Sequence, residues 1–230
     1  MGNVHSWCME LAFKVVTGGP FGVYDLFVRN RTHNTKNRAA QQLTNQVKEH
    51  YKSDVLNDIH SYGVTKIRVS YYKGGAEAQY FVFNAVGATK TGWFSRDRLL
   101  ETSFNNITTL TDIRPRKLLD SRDFNFGVDY KNPVSRRFFI NEGYYECGGD
   151  LGWVVVIDGP GPCSMDKGKT STISVDFCPR GTMKYTSFRG FCPLDTHKGY
   201  ALDPLGEKAK EAANVGIRIL LIYILGESDF

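Results

Sequence analysis

Apolar and polar positions alternate with a period of two along most of the chain, and with a period near 3.6 in one stretch. The segment Trp7–Val16 (WCMELAFKVV) carries aromatic and β-branched residues and stops at Thr17-Gly18-Gly19-Pro20, so it predicts a strand closed by a turn. A second short strand is predicted at 23–28, ahead of a polar stretch at 30–36. Between residues 37 and 60 the spacing changes. Ala40, Leu43, Val47, Tyr51, Val55 and Ile59 recur at i, i+3 or i+4, while Gln42, Gln46, Glu49, Lys52 and Asn57 take the other side. With Gly63 where a C-terminal cap belongs, this predicts one amphipathic helix. Alternation returns at residue 64, breaks at Lys73-Gly74-Gly75 and resumes at 80–83, the signature of a hairpin. Residues 93–100 (WFSRDRLL) predict a short helical turn with Ser95 as its N-cap. Further strands are predicted at 124–128, 137–140, 153–157, 172–177, 185–188 and 217–224. No linker or internal repeat divides the chain, so residues 1–230 read as a single domain. The expected fold is mainly β (α+β): an antiparallel β-sandwich of about ten short strands, with the helix near residues 37–60 covering one face or edge.

Composition supports a packed core: 41% of the 230 residues are hydrophobic and 23% charged, which excludes disorder, collagen and coiled coil. The net charge of +5 raises the question of a nucleic-acid partner. The basic residues fall into local groups, Arg29, Arg31, Lys36 and Arg38, then Arg114, Arg116 and Lys117, then Arg136 and Arg137, with acidic residues between the groups. None forms the long basic face that phosphate tracking requires, so no nucleic-acid partner is expected. The longest apolar run, 215–225, contains Arg218 and falls short of the roughly 20 residues that a span needs, so no membrane span is expected. The opening MGNVHSWCMEL lacks the basic region and apolar run of a secretory leader, and Met1 is expected to begin a trimmed chain.

Cysteines carry the argument on compartment. Cys147, Cys163, Cys178 and Cys192 lie within 46 residues, without the paired C-x-x-C of a zinc site, so no metal is expected and a disulfide-stapled C-terminal half is. Of the three connectivities, Cys147 with Cys163 and Cys178 with Cys192 is favoured, because each closes a short loop between strand-like segments. Cys8 is left over and is expected to be buried. The sequons Asn30-Arg31-Thr32 and Asn106-Ile107-Thr108 fall in polar stretches and make Asn30 and Asn106 glycosylation candidates. A secreted, extracellular protein fits both signals.

Catalytic signals are few. No nucleophile motif occurs, and His5, His33, His50, His60 and His197 are dispersed and expected at the surface. Gly74-Gly75 precedes no helix and is a turn, so no nucleotide cofactor is implied and none of another kind is expected. Asp150 and Asp158 flank a strand that would hold them roughly 26 Å apart at about 3.3 Å per residue, too far for a glycosidase pair. Asp158 is expected to serve turn chemistry in Asp158-Gly159-Pro160-Gly161-Pro162. The most distinctive stretch, 136–163, interleaves aromatic and basic residues. Arg136, Asn141, Tyr144, Tyr145 and Asp150 suit a sugar or anionic ligand, with rings stacking and polar groups fixing orientation; Phe138, Phe139 and Trp153 read equally as core.

The motifs Ser6-Trp7 followed by LAFKVV, Lys66-Ile67-Arg68-Val69, Gly92-Trp93-Phe94-Ser95-Arg96, the RRFFIN run at 136–141 and Cys147 with the GWVVVID run at 152–158 and Cys163 occur in a fixed order. In this the chain resembles an uncharacterised extracellular domain of secreted, often multidomain proteins of corals, sea anemones and other marine invertebrates. The resemblance implies an extracellular setting and a recognition or matrix role, and transfers no catalytic residue. The expected function is a disulfide-stabilised module that binds a glycan, matrix or cell-surface ligand through Trp93, Arg96, Arg136, Asn141, Tyr144, Tyr145 and Asp150. Two alternatives stand beside it: an enzyme with no common motif, acting on a small apolar ligand as a cofactor-independent oxidoreductase or hydrolase, and a structural matrix protein.

Overall fold

The alternation that begins at Phe13 and Val15 continues across neighbouring strands, because residues paired in register share a face. A computed structural model describes residues 7–20, 22–44, 46–73, 75–103, 125–127, 136–143, 151–158, 172–177 and 219–227. Six strands form one antiparallel sheet: β1 (Trp7–Val16), β2 (Tyr51–Lys52), β3 (Val64–Lys73), β4 (Ala76–Asn84), β5 (Leu99–Thr102) and β10 (Ile219–Glu227), in the order β2-β1-β10-β3-β4-β5. Phe13, Ile222, Val69 and Phe81 make one row across four of these strands and are all fully buried. The smaller antiparallel sheet runs β6 (Asn125–Gly127), β7 (Arg136–Gly143), β8 (Leu151–Ile157), β9 (Thr172–Phe177) in that order. Among the described residues helix is scarce: one α-helix, α1 (Val23–Val28), and three short 3-10 turns.

Both sheets feed one apolar core. Phe138, Ile140, Val154 and Val156 from β7 and β8 join Phe13, Ile67, Phe83 and Ile222 from the larger sheet. The Phe27 ring on α1 meets Phe13 and Phe138 edge-on, with centroids 5.4 and 5.1 Å away. Phe138, Phe139 and the hairpin of β3 and β4 thus take the structural roles the sequence suggested.

Two local expectations are corrected. Residues 23–28 form α1 instead of a strand, with Val23, Leu26 and Phe27 buried at helical spacing. The long helix at 37–60 does not form. Its span is broken into a 3-10 turn at Arg38–Gln41, the short strand β2 and a second 3-10 turn at Asp54–Asn57. The Asn37 carboxamide accepts from the N–H groups of Ala39 and Ala40, and the Ser53 hydroxyl from that of Val55, which starts each turn locally. Burial also departs from the helical stripe: Leu43 on the apolar side is 37% exposed, whereas Lys52 on the polar side is fully buried. The short helical turn expected at 93–100 is present as a 3-10 turn at Arg96–Arg98, with Ser95 at the N-cap position but without a side-chain hydrogen bond there. The strand expected at 185–188 lies outside the described residues.

Candidate functional site

A helix of six residues leaves nearly all its carbonyls at the C-terminal end without intrahelical partners. Two lysines converge on that end of α1. Lys52, from β2, donates from Nζ to the carbonyl oxygens of Leu26 (3.1 Å), Phe27 (2.8 Å) and Arg29. Lys90 donates to the carbonyls of Val28 (2.9 Å) and Arg29 (3.4 Å), to Asn30 Oδ1 (3.1 Å) and to Asn57 Oδ1 (3.2 Å). All these acceptors are neutral, so the two ammonium charges are solvated by the protein without being neutralised. Burial, reinforced by the neighbouring Lys90 charge, pushes the Lys52 ammonium down to about 7. Burial also lowers Lys90.

Directly beyond α1 the chain turns through Arg29, Asn30 and Arg31, which line a concavity of about 350 Å³. All three are exposed. Among the described residues neither the Arg29 nor the Arg31 guanidinium has a hydrogen-bond or ion-pair partner, and no acidic residue occurs from Leu26 to Lys48. The rim is held from its far side. His33 and Lys52 exchange backbone hydrogen bonds of 2.9 and 3.0 Å. Asn34, with a positive φ of 55° that Asn tolerates better than most residues, donates from Nδ2 to Glu49 Oε2 (3.0 Å) and to the His50 carbonyl (2.8 Å). The segment is therefore pinned at Arg29 and again at Asn34, which limits the ordering cost of ligand binding.

The comparisons find nothing. Neither a family description, nor a curated protein, nor a solved structure matches this chain.

Of the seven residues expected at a binding surface, Trp93, Arg96, Arg136 and Asn141 lie among the described residues. Trp93 is fully buried, with its ring against Phe83 and Phe94 and its Nε1 donating to the Lys90 carbonyl at 2.8 Å. It supports the Lys90 backbone from the core instead of presenting a stacking face. Arg96 is exposed at the start of its 3-10 turn. Arg136 and Asn141 belong to β7, opposite Ile157 and Gly152 of β8. Tyr144, Tyr145, Asp150, the four cysteines Cys147, Cys163, Cys178 and Cys192, and Asn106 lie outside the described residues. Cys8 pairs with Gly226 between β1 and β10. Asn30 is exposed.

Two polar residues have roles that sequence reading assigned otherwise. Asp158, expected in a turn, accepts from the backbone N–H of Val23 and of Tyr24 (2.8 Å), capping α1 from the end of β8. It also lies 3.5 Å from Arg137 Nε, and that guanidinium stacks over the Tyr24 ring at 4.7 Å. His50, expected at the surface, is fully buried, and its Nδ1 accepts from the Val16 N–H at 3.2 Å. Sequence reading did not place Arg29, Arg31, Lys52 or Lys90 in a site, and took Asn30 only as a glycosylation candidate. A usable signal was present in the acid-free stretch from Leu26 to Lys48. Among the described residues no helix is long and apolar enough to cross a membrane.

Proposed function

We propose that the protein is a secreted, disulfide-stabilised binding module on a β-sandwich scaffold, and that Arg29, Asn30 and Arg31 contact its glycan, matrix or cell-surface ligand. The carrying observation is a concavity whose two guanidinium groups have no partner among the described residues, set on a segment anchored at both ends. Hydrogen-bonding forks left without acceptors on a fixed backbone suit recognition, because their geometry is prepared before the ligand arrives. Four closely spaced cysteines and the sequon at Asn106 support the extracellular setting. Arg96, Arg136, Asn141, Tyr144, Tyr145 and Asp150 remain candidates for extending the contact surface.

The test is binding of the full chain to a panel of immobilised neutral and acidic polysaccharides and matrix proteins, for wild type and for Arg29→Ala/Arg31→Ala. Saturable binding that falls at least tenfold in the double variant, with an unchanged melting temperature, supports the assignment. A wild type that binds no member of the panel, or a variant that binds as well as wild type, overturns it.

A further inference from the structure

We propose that the concavity selects an anion, the sulfate ester or carboxylate group of an acidic polysaccharide. This inference rests on the binding-module reading above and narrows it to a ligand class.

Charge balance distinguishes this rim from the carboxylate-paired arginines of the described surface. Arg68 is held by Glu77 through two hydrogen bonds of 3.2 and 2.8 Å, and Arg137 lies against Asp158. Where a guanidinium serves the fold in these places, a carboxylate accompanies it. Among the described residues Arg29 and Arg31 have no such companion, and the Lys52 and Lys90 side chains behind them end on neutral oxygens. The opposing contribution is the C-terminal end of α1, which carries at most about half an elementary negative charge. Set against the Arg29 and Arg31 guanidinium charges alone, that half charge leaves the site positive.

Hydrogen-bond polarity gives the same answer independently. An ammonium group can only donate, so the Asn30 atom facing Lys90 Nζ at 3.1 Å is the oxygen, and the amide NH2 of Asn30 remains to donate. The Arg29 carbonyl already receives both lysines. Among the described residues, the side chains lining the concavity therefore offer donors: two guanidinium forks and an amide. A ligand group that only accepts, with oxygens spaced to receive a fork, is a sulfate or a carboxylate. A neutral sugar hydroxyl must also place its own proton, for which this rim supplies few acceptors.

A nucleic acid is also an anion, yet residues 29–48 include no Phe, Tyr or Trp on which a base could stack. Backbone charge alone would have to hold it, and the acid-free stretch is short for tracking phosphates.

The experiment measures dissociation constants of the full-length protein for heparin, for chemically desulfated and N-acetylated heparin, for dextran and for a single-stranded oligonucleotide, each at 50 and 200 mM NaCl. Heparin is expected to bind at least tenfold more tightly than dextran. Its affinity should fall with salt, and Arg29→Ala/Arg31→Ala should weaken it tenfold or more while making the salt dependence shallower. Arg68→Ala, which removes a guanidinium already paired, should leave heparin binding within twofold of wild type. Arg29→Lys/Arg31→Lys should keep most of the salt dependence yet bind several-fold more weakly, because a lysine cannot form the fork. Equal binding of dextran and heparin, both lost in Arg29→Ala/Arg31→Ala, overturns anion selection while leaving the binding module intact. Loss of every polysaccharide signal overturns both readings. Tighter binding of the oligonucleotide than of heparin replaces the polysaccharide with a nucleic acid and overturns this proposal.

Discussion

Lys14 and Lys52 are both fully buried, yet they occupy different environments one residue apart in register. Lys52 is opposite Phe13 and reaches the carbonyls of α1; Lys14 follows Phe13 and so faces the other side of the sheet, where its Nζ has no hydrogen-bond partner. Burial alone lowers the Lys14 ammonium to about 8. Each group has a folded pKa below its unfolded value, so between those two values the unfolded chain holds more protons and stability rises with pH. Burial raises the Tyr71 hydroxyl in the opposite sense, and its contribution is lost above the ordinary tyrosine pKa near 10. Stability measured by urea titration is expected to increase from pH 7 to about pH 10 and to level off and then decline above about pH 10.5. Lys14→Met should flatten the rise and be more stable than wild type at pH 7, by up to about 3 kcal/mol from the size of the shift. The other residue-scale prediction concerns Gly19, where an added Cβ would stand 2.3 Å from His50 Cε1. Gly19→Ala should cost about 2 kcal/mol through overpacking, and much of that cost should vanish in the His50→Ala background, as a double-mutant cycle by chemical denaturation would report.

At the scale of elements, α1 explains both what was legible in the sequence and what was not. Six residues contain too little pattern to separate a strand from a helix, and the groups that decide the matter come from elsewhere: Asp158 at one end, 135 residues away from Val23, and Lys52 at the other. The reverse error at 37–60 has the same origin. A sound apolar stripe was present, but Asn37 and Ser53 start separate turns, and Lys52 and His50 are drawn inward by acceptors and donors that local spacing does not reveal. Strands were easier to read, because a run of β-branched and aromatic residues closed by turn residues marks a strand whatever its partner. Asp158→Ala should cost about 3 kcal/mol, since two helix N–H groups lose their acceptor and Arg137 loses a carboxylate. Asp158→Asn, which keeps an acceptor oxygen, should cost less. Thermal unfolding, with amide exchange at Tyr24 as the local readout, distinguishes the two variants.

On the scale of the whole molecule, the strand order was not readable, because period-two alternation says which residues face the core and nothing about neighbours. The outcome is an insertion: β10 pairs with β1 along one edge and with β3 along the other, and supplies Ile222 and Ile224 to the core. The candidate site depends on this arrangement only indirectly, through β1 and its partner β2, which carries Lys52. A chain ending at residue 218 is expected to lose cooperative unfolding, and a synthetic peptide of residues 219–227 added in trans should restore part of it; circular dichroism during a urea titration is the check. Under the proposed pairing, peptide mapping without reduction should recover Cys147 joined to Cys163 and Cys178 joined to Cys192. Any other connectivity would reassign the loops of the C-terminal half.

The central position of β10 also has a kinetic side. While the chain emerges from a ribosome in order, β1 and β3 exist long before the strand that must lie between them, so neither finds its proper neighbour on that side until residues near Ile222 are made. Such a polypeptide cannot lock prematurely into its larger sheet. For a protein that crosses a membrane before it folds, this delay would be an advantage, because the leading part stays threadable until the closing strand arrives.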